Sequence, residues 1–121
     1  MVAIVDNNTV DLLKLALDAA GMRQQAIAQN IANANTPGYQ RIGVSFESRI
    51  EDLKQAVQLG QAPSLAAYQP VFETVGAAGE PVALDTEMAA LSENTLHHQA
   101  LLKALNKHLA LIGTAINEGK R

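Results

Sequence analysis

Two long segments of the sequence place apolar or small residues at alternating spacings of three and four, which is typical of a coiled-coil seam. The first segment covers residues 9–35, and its seam includes Leu13, Leu17, Ile27 and Ile31. The second covers residues 85–118, and its seam is Met88, Leu91, Thr95, His98, Leu102, Leu105, Leu109, Ile112 and Ile116. The pattern predicts an all-α fold in which long N-terminal and C-terminal helices pair as an antiparallel coiled coil.

The first helix is predicted to end near Asn35, because Thr36 precedes Pro37 and is pushed out of the α region. Pro37 and Gly38 suit the central positions of a type II turn, since proline fixes φ and glycine accepts a positive φ. Residues 36–60 are therefore predicted to form a turn and a short helix over about 45–59.

The segment 61–83 is predicted to be an irregular connector, because it contains Pro63, Pro70 and Pro81. A weak β-hairpin between 71–75 and 81–84 is the regular structure that its sequence allows. We treat residues 1–121 as a single unit, since this length fits one domain.

Both long helices carry more apolar residues than one seam can cover, and a helix that is apolar on most sides belongs inside something larger. Gly21 disfavours the helix by roughly 1 kcal/mol, and we expect it to allow a neighbouring backbone to approach closely. This predicts association with other chains. Two alternatives stay open: a monomeric bundle with the 45–59 helix as its third wall, and a soluble adaptor or secretion-chaperone-like module that clasps a partner helix.

Composition removes several classes of function. The net charge is −3 with scattered basic residues, whereas nucleic-acid binding needs concentrated positive charge. The chain has no cysteine, which excludes disulfides and thiolate metal sites. We expect no secretory signal and no bilayer insertion. His97 and His98 point differently around the helix, and His108 lies about 16 Å from His97, so these histidines cannot share one metal ion.

One stretch at the end of the first helix resembles the signature of flagellar rod and hook axial proteins: Asn30, Ile31, Ala32, Asn33, Ala34, Asn35, Thr36, Pro37, Gly38 and Tyr39. The stretch 82–88, followed by Glu93-Asn94 and Gln99 to Leu102, resembles the C-terminal helix of the proximal-rod branch of the flagellar basal-body rod family.

This resemblance implies a structural subunit of the flagellar basal body, in the rod that spans the periplasm, and not an enzyme. It implies export by the flagellar type III apparatus and terminal helices that pair around the central channel, transmitting torque. The implied partners are further copies, other rod proteins, the rod adaptor, the export gate and membrane-ring proteins. No cofactor, metal or nucleic acid is expected.

Overall fold

The computed structural model describes residues 2–61 and 64–119, and two long helices dominate it. Helix α1 is Val2–Ala32 and helix α3 is Leu84–Gly119. They pack against each other in opposite directions, because Asn30 of α1 lies beside Glu87 near the start of α3 and Ala20 lies beside Asn94. The predicted pair of long terminal helices is therefore present.

The end of α1 tightens into turns instead of continuing to residue 35. The amide of Ala34 donates to the carbonyl of Ile31 at 3.3 Å, and the amide of Thr36 donates to that of Asn33 at 2.9 Å. These bonds to the third preceding residue satisfy carbonyls that a helix end leaves unpaired. The N-terminal helix lies over Val2–Ala32 where the sequence pattern predicted 9–35.

The two short strands of the structure pair differently from the predicted hairpin. Strand β1 is Ile42–Ser45 and strand β2 is Val71–Thr74, and they pair antiparallel with Ile42 opposite Thr74. The extended conformation predicted over 71–75 is present, but its predicted partner, 81–84, is wrong. Pro81 has no N–H to give a ladder, and Leu84 already belongs to α3.

The short middle helix α2, Glu47–Gln58, follows β1 directly. Phe46 before it packs against Leu15 and Ala19 of α1 in the small apolar core. Partly buried residues around this cluster are Ala16, Val44, Ile50 and Leu65, the last in the 3-10 turn Leu65–Tyr68. The sheet, α2 and the connector thus fold onto α1, while α3 extends along it.

The predicted seam of α3 divides between two faces of the helix. Leu91, His98, Leu105 and Ile112 are half-buried, whereas the alternate members are exposed: Met88 60%, Leu102 44%, Leu109 47%, Ile116 54%, and Thr95. The more buried positions that the seam omitted are Glu87 and Asn94. At about 100° per residue, the predicted seam is centred roughly 50° away from the face that contains these two residues.

Gly21 was expected to allow close approach of a neighbouring backbone, and its surroundings in the structure show whether this chain supplies one. A Cβ atom placed there would meet no described atom within 4 Å outside its own helix. The expected close approach of a neighbouring backbone is therefore not made by the described residues of this chain.

Candidate functional site

A buried side-chain amide organises the corner where α1 ends. Asn30 is 1% exposed, and its Oδ1 accepts hydrogen bonds from the Tyr39 hydroxyl at 2.8 Å and from the Ile42 amide at 2.9 Å. Its Nδ2 donates to the Ile42 carbonyl at 2.8 Å. The amide thus pairs with both backbone groups of Ile42, which anchors the first residue of β1 to the end of α1.

The turn predicted from Pro37-Gly38 brings Tyr39 to this amide. The Tyr39 N–H donates to the Thr36 carbonyl at 3.2 Å, and Gly38 has φ of 72°. This matches a type II turn, whose third residue needs the left-handed conformation that glycine adopts without strain. The chain reverses here, so a tyrosine nine residues after Asn30 reaches back to it.

A buried carboxylate from α3 completes the corner. Glu87 is 4% exposed; its Oε1 accepts a hydrogen bond from Arg41 at 3.2 Å, and its Oε2 lies 3.5 Å from Asn30 Nδ2. A buried carboxylate needs such partners, because loss of hydration otherwise costs several kcal/mol. The group formed by Asn30, Tyr39, Arg41, Ile42 and Glu87 is called the polar corner below.

The surroundings of Tyr39 in the polar corner change the pKa of its phenol. Burial raises the pKa of its phenol above the ordinary value of 10.0, and the negative charge of Glu87 raises that pKa further. Both causes favour the neutral hydroxyl. The phenol therefore stays a hydrogen-bond donor to Asn30 over a wider pH range.

The remaining members of the signature stretch lie outside the polar corner. Asn33 Nδ2 donates to the Gln29 carbonyl at 3.0 Å, and its Oδ1 accepts from the Thr36 hydroxyl at 3.1 Å, which fastens the turn. Ile31 is half-buried, and the exposed members are Ala32, Asn35, Thr36, Pro37 and Gly38. The stretch thus joins a buried anchor to an exposed turn.

A second polar contact joins the long helices further along. Asn94 is 7% exposed, and its Nδ2 donates to the Ala20 carbonyl and to Gln24 Oε1, each at 2.9 Å. Asn94 and Glu87 are seven residues apart, or about 10 Å along α3. Two polar contacts of different geometry therefore set the alignment of α3 against α1.

Three important residues were not among the predicted site residues: Arg41, Glu87 and Asn94. Glu87 and Asn94 did lie in the stretches that carried the family resemblance, and that was the available signal. The apolar pattern could not select them, because charged and amide side chains usually face solvent.

The predicted assembly residues have different exposures on the two helices. In α1, Leu13, Leu17, Ile27 and Ile31 are half-buried. In α3 the seam alternates between half-buried and exposed, and further exposed apolar residues lie on other sides of it, namely Leu96 at 68% and Leu111 at 59%. A large apolar surface of α3 is thus open to contact.

The histidines are not part of a larger cluster of potential metal ligands among the described residues. His97 is exposed and His98 half-buried, and the described side chains include no group of three or more metal-ligating residues. Within residues 2–61 and 64–119, no helix combines the length and hydrophobicity required to cross a membrane.

Comparison with known proteins gives a consistent result. A family model described as "Flagella basal body rod protein" matches residues 15–40. The chain is 30% identical to the flagellar basal body rod protein FlgB of Bacillus subtilis over 125 residues, which cover 94% of this chain and 97% of that protein. It is 29% identical to FlgB of Escherichia coli over 126 residues, which cover 86% of this chain and 89% of that protein. It is 46% identical to FlgB of Borrelia hermsii over 43 residues, which cover 36% of this chain and 32% of that protein.

Proposed function

Since the chain belongs to the FlgB family of flagellar basal body rod proteins, we propose that it builds the rod by burying the exposed sides of α1 and α3 against neighbouring subunits. It is a structural subunit of the rod in the flagellar basal body, and its family is a structural one rather than an enzyme family. The terminal helices are the assembling elements of this proposal.

The observation that carries the proposal is the apolar surface left open on the long helices. Met88 and Ile116 of α3 are each more than half exposed. Removing such side chains from water contributes about 25 cal/mol per Å² of apolar area, so neighbours that cover them are strongly favoured. The predicted assembly residues Leu13, Leu17, Leu102 and Leu109 fit the same role.

The polar contacts between the two long helices support a role in torque transmission. The polar corner and Asn94 hold α3 to α1 at two points, so sliding of one helix along the other would break buried hydrogen bonds. Each buried polar group left unpaired costs about 1–3 kcal/mol. A pair of helices fixed in this way passes load to its neighbours instead of absorbing it.

The partners in this proposal are further copies of the chain, other rod proteins, the rod adaptor, the export gate and proteins of the membrane ring. The chain reaches the rod through the flagellar type III export apparatus, and its terminal helices line the channel through which later subunits pass. The exposed turn at residues 35–38 lies outside the helix pair and is free to contact an adjoining subunit.

Deletion of the gene tests the function directly. We expect non-motile cells that assemble the membrane ring but no rod, as judged by swimming assays and imaging of isolated basal bodies. Re-expression of the wild-type chain restores both, whereas a Leu109→Lys variant, which places a charge in the open apolar surface, restores neither. Complete rods and normal motility in the deletion strain would contradict the proposed function.

A further inference from the structure

One side of α3 carries a continuous uncharged stripe that faces solvent. Its nine residues follow spacings of four and three over about 42 Å of helix, and we call it the outer stripe. All nine are exposed: Met88, Ser92, Thr95, Gln99, Leu102, Asn106, Leu109, Gly113 and Ile116. This is the spacing of a coiled-coil seam, and it lies beside the face that packs on α1.

The composition of the outer stripe differs from that of a solvated helix face. Such faces normally carry charged residues. The charged residues of the described part of α3 all lie off the stripe: Asp85, Glu87, Glu93, Lys103, Lys107 and Glu118. The stripe instead exposes four large apolar side chains, 44% to 60% of each. It therefore has the character of an interface with another helix.

A groove beside the stripe leads to Gly21 of α1. It has a volume of about 460 Å³, and its walls are Thr95 and Gln99 of the outer stripe together with Ala20, Gly21, Gln24, Gln25 and His98. A helix laid in this groove would contact α1 and α3 at once. No wall residue is an acid, a lysine or an arginine, so an uncharged helix face fits it.

The groove and the outer stripe each contain a glycine. Gly113 lies in the outer stripe and Gly21 in the groove, and apart from proline no residue disfavours a helix interior more. Neither has a positive φ, and a Cβ at either would meet no atom of the described residues within 4 Å, apart from the backbone of its own helix. The described chain thus gives no internal reason for them, whereas a helix from outside would use the space.

The exposed area of the chain indicates that the missing helix belongs to another molecule. The accessible surface is 8186 Å², about 1,900 Å² above the roughly 6,300 Å² typical of a compact monomer of 12.8 kDa. A stable interface covers about 800 Å² on each partner. The excess is enough for two such interfaces, as expected when each copy contacts one neighbour on either side in an open, non-closing assembly.

We infer that the groove between α1 and α3, bordered by Gly21 and the outer stripe, receives a helix from a second copy of this chain. This inference rests on the proposed rod function and specifies which side of the helix pair takes the neighbour. Gly21 and Gly113 are the points of closest approach, and Leu102, Leu109 and Ile116 are the side chains that the neighbour covers.

Association of the purified full-length chain, measured by sedimentation equilibrium over a concentration series, tests the inference. Gly113→Leu should weaken association at least about tenfold, because a large side chain then occupies the space of the neighbour. Gly21→Ala should also weaken association while raising the melting temperature by roughly 2–6 °C, since alanine favours the helix and clashes with nothing in the chain.

The matched controls lie elsewhere on α3. Ala104→Leu adds the same side chain at an exposed position outside the stripe, and Leu111→Gln can be compared with Leu109→Gln at similar exposure. We expect the two control variants to associate like the wild-type chain. The inference would be overturned if substitutions at stripe and control positions weakened association equally, or if Gly113→Leu associated like the wild-type chain. It would also be overturned if the wild-type chain stayed monomeric at millimolar concentration.

Complementation separates this inference from the proposed function. If the deletion strain lacks rods and Gly113→Leu restores them fully, the groove assignment is wrong while the rod function stands. If the deletion strain builds complete rods, the function itself fails. We expect the Gly113→Leu variant to leave the deletion strain without rods and the Ala104→Leu variant to restore normal rods.

Discussion

The side-chain amide of Asn30 lies 3.5 Å from a carboxylate oxygen of Glu87, although the two residues are 57 positions apart in the chain. The same amide holds both backbone groups of Ile42 and accepts the Tyr39 hydroxyl. One side chain at the end of α1 therefore fixes where β1 leaves the helix and where α3 returns to it. Apart from the contact between Arg41 and Glu87, the hydrogen bonds of the polar corner all involve this one side chain.

Replacing Asn30 with alanine should destabilise the protein by about 3 kcal/mol. The change leaves the Tyr39 hydroxyl and the Ile42 amide without their acceptor in a partly buried place, and each unpaired group costs about 1–3 kcal/mol where water cannot replace the acceptor. Urea unfolding followed by circular dichroism measures the loss. The control is Asn33→Ala, whose contact with Thr36 is exposed and whose loss should stay below about 1 kcal/mol. Similar losses in the two variants would contradict the central role of Asn30.

The main contribution of Arg41 to stability should be its ion pair with the buried Glu87 carboxylate. Arg41→Met should cost about 1–2 kcal/mol, less than for a fully buried pair because the arginine side chain is 37% exposed. The double variant Arg41→Met/Glu87→Gln should regain about half of that loss, since a neutral amide tolerates burial better than an unpaired charge.

A second ion pair provides the comparison for Arg41. Arg23 and Glu47 also form an ion pair, but the Glu47 side chain is 72% exposed. Glu47→Gln should therefore change the free energy of unfolding by less than about 1 kcal/mol. If the double variant at Arg41 and Glu87 were as unstable as Arg41→Met alone, the buried charge would not be the source of the loss.

The helices and the extended segment at 71–75 followed from local sequence, whereas strand β1 and the faces that the helices bury did not. Proline at 37 and glycine at 38 fix the turn by their own backbone preferences, and the three-four spacing of α3 identifies a long helix. The orientation of that helix was missed by roughly 50° because the apolar pattern counts Leu102 and Leu109 as inward. Glu87 and Asn94, on the face that is buried, have partners 57 and 74 residues away, and no local pattern encodes such contacts.

The strand pairing was missed for the same reason. Residues 71–75 looked extended from their composition, but the partner Ile42–Ser45 lies on the far side of α2 in the chain. That pairing depends on Asn30, which anchors Ile42 from α1. Where a contact is set by one distant polar side chain, periodicity predicts the element and not its partner.

Asn94 should contribute to the stability of the helix pair more than its neighbour on the exposed side. Asn94→Ala removes the hydrogen bonds to Ala20 and Gln24 and leaves a small cavity between the helices, at a cost of about 1–2 kcal/mol. Thr95→Ala is the matched control, because Thr95 is exposed and bonds within its own helix. Thermal unfolding of both variants gives the comparison, and equal melting temperatures would count against the second polar contact.

The Tyr39 phenol should make stability depend on alkaline pH in a defined direction. Its pKa is raised in the folded protein by burial and by Glu87, so the folded state keeps the phenol proton to a higher pH than the unfolded chain does. The stability from this group is therefore fully present below about pH 10 and is lost as the pH rises through the folded-state pKa. Tyr39→Phe should be about 1 kcal/mol less stable than wild type at neutral pH, and this difference should shrink above about pH 10. Urea unfolding between about pH 8 and about pH 11 tests it, with Tyr68→Phe as the control for removing a phenol elsewhere. A difference that stays constant to the top of that range would show that the Tyr39 proton is not linked to folding.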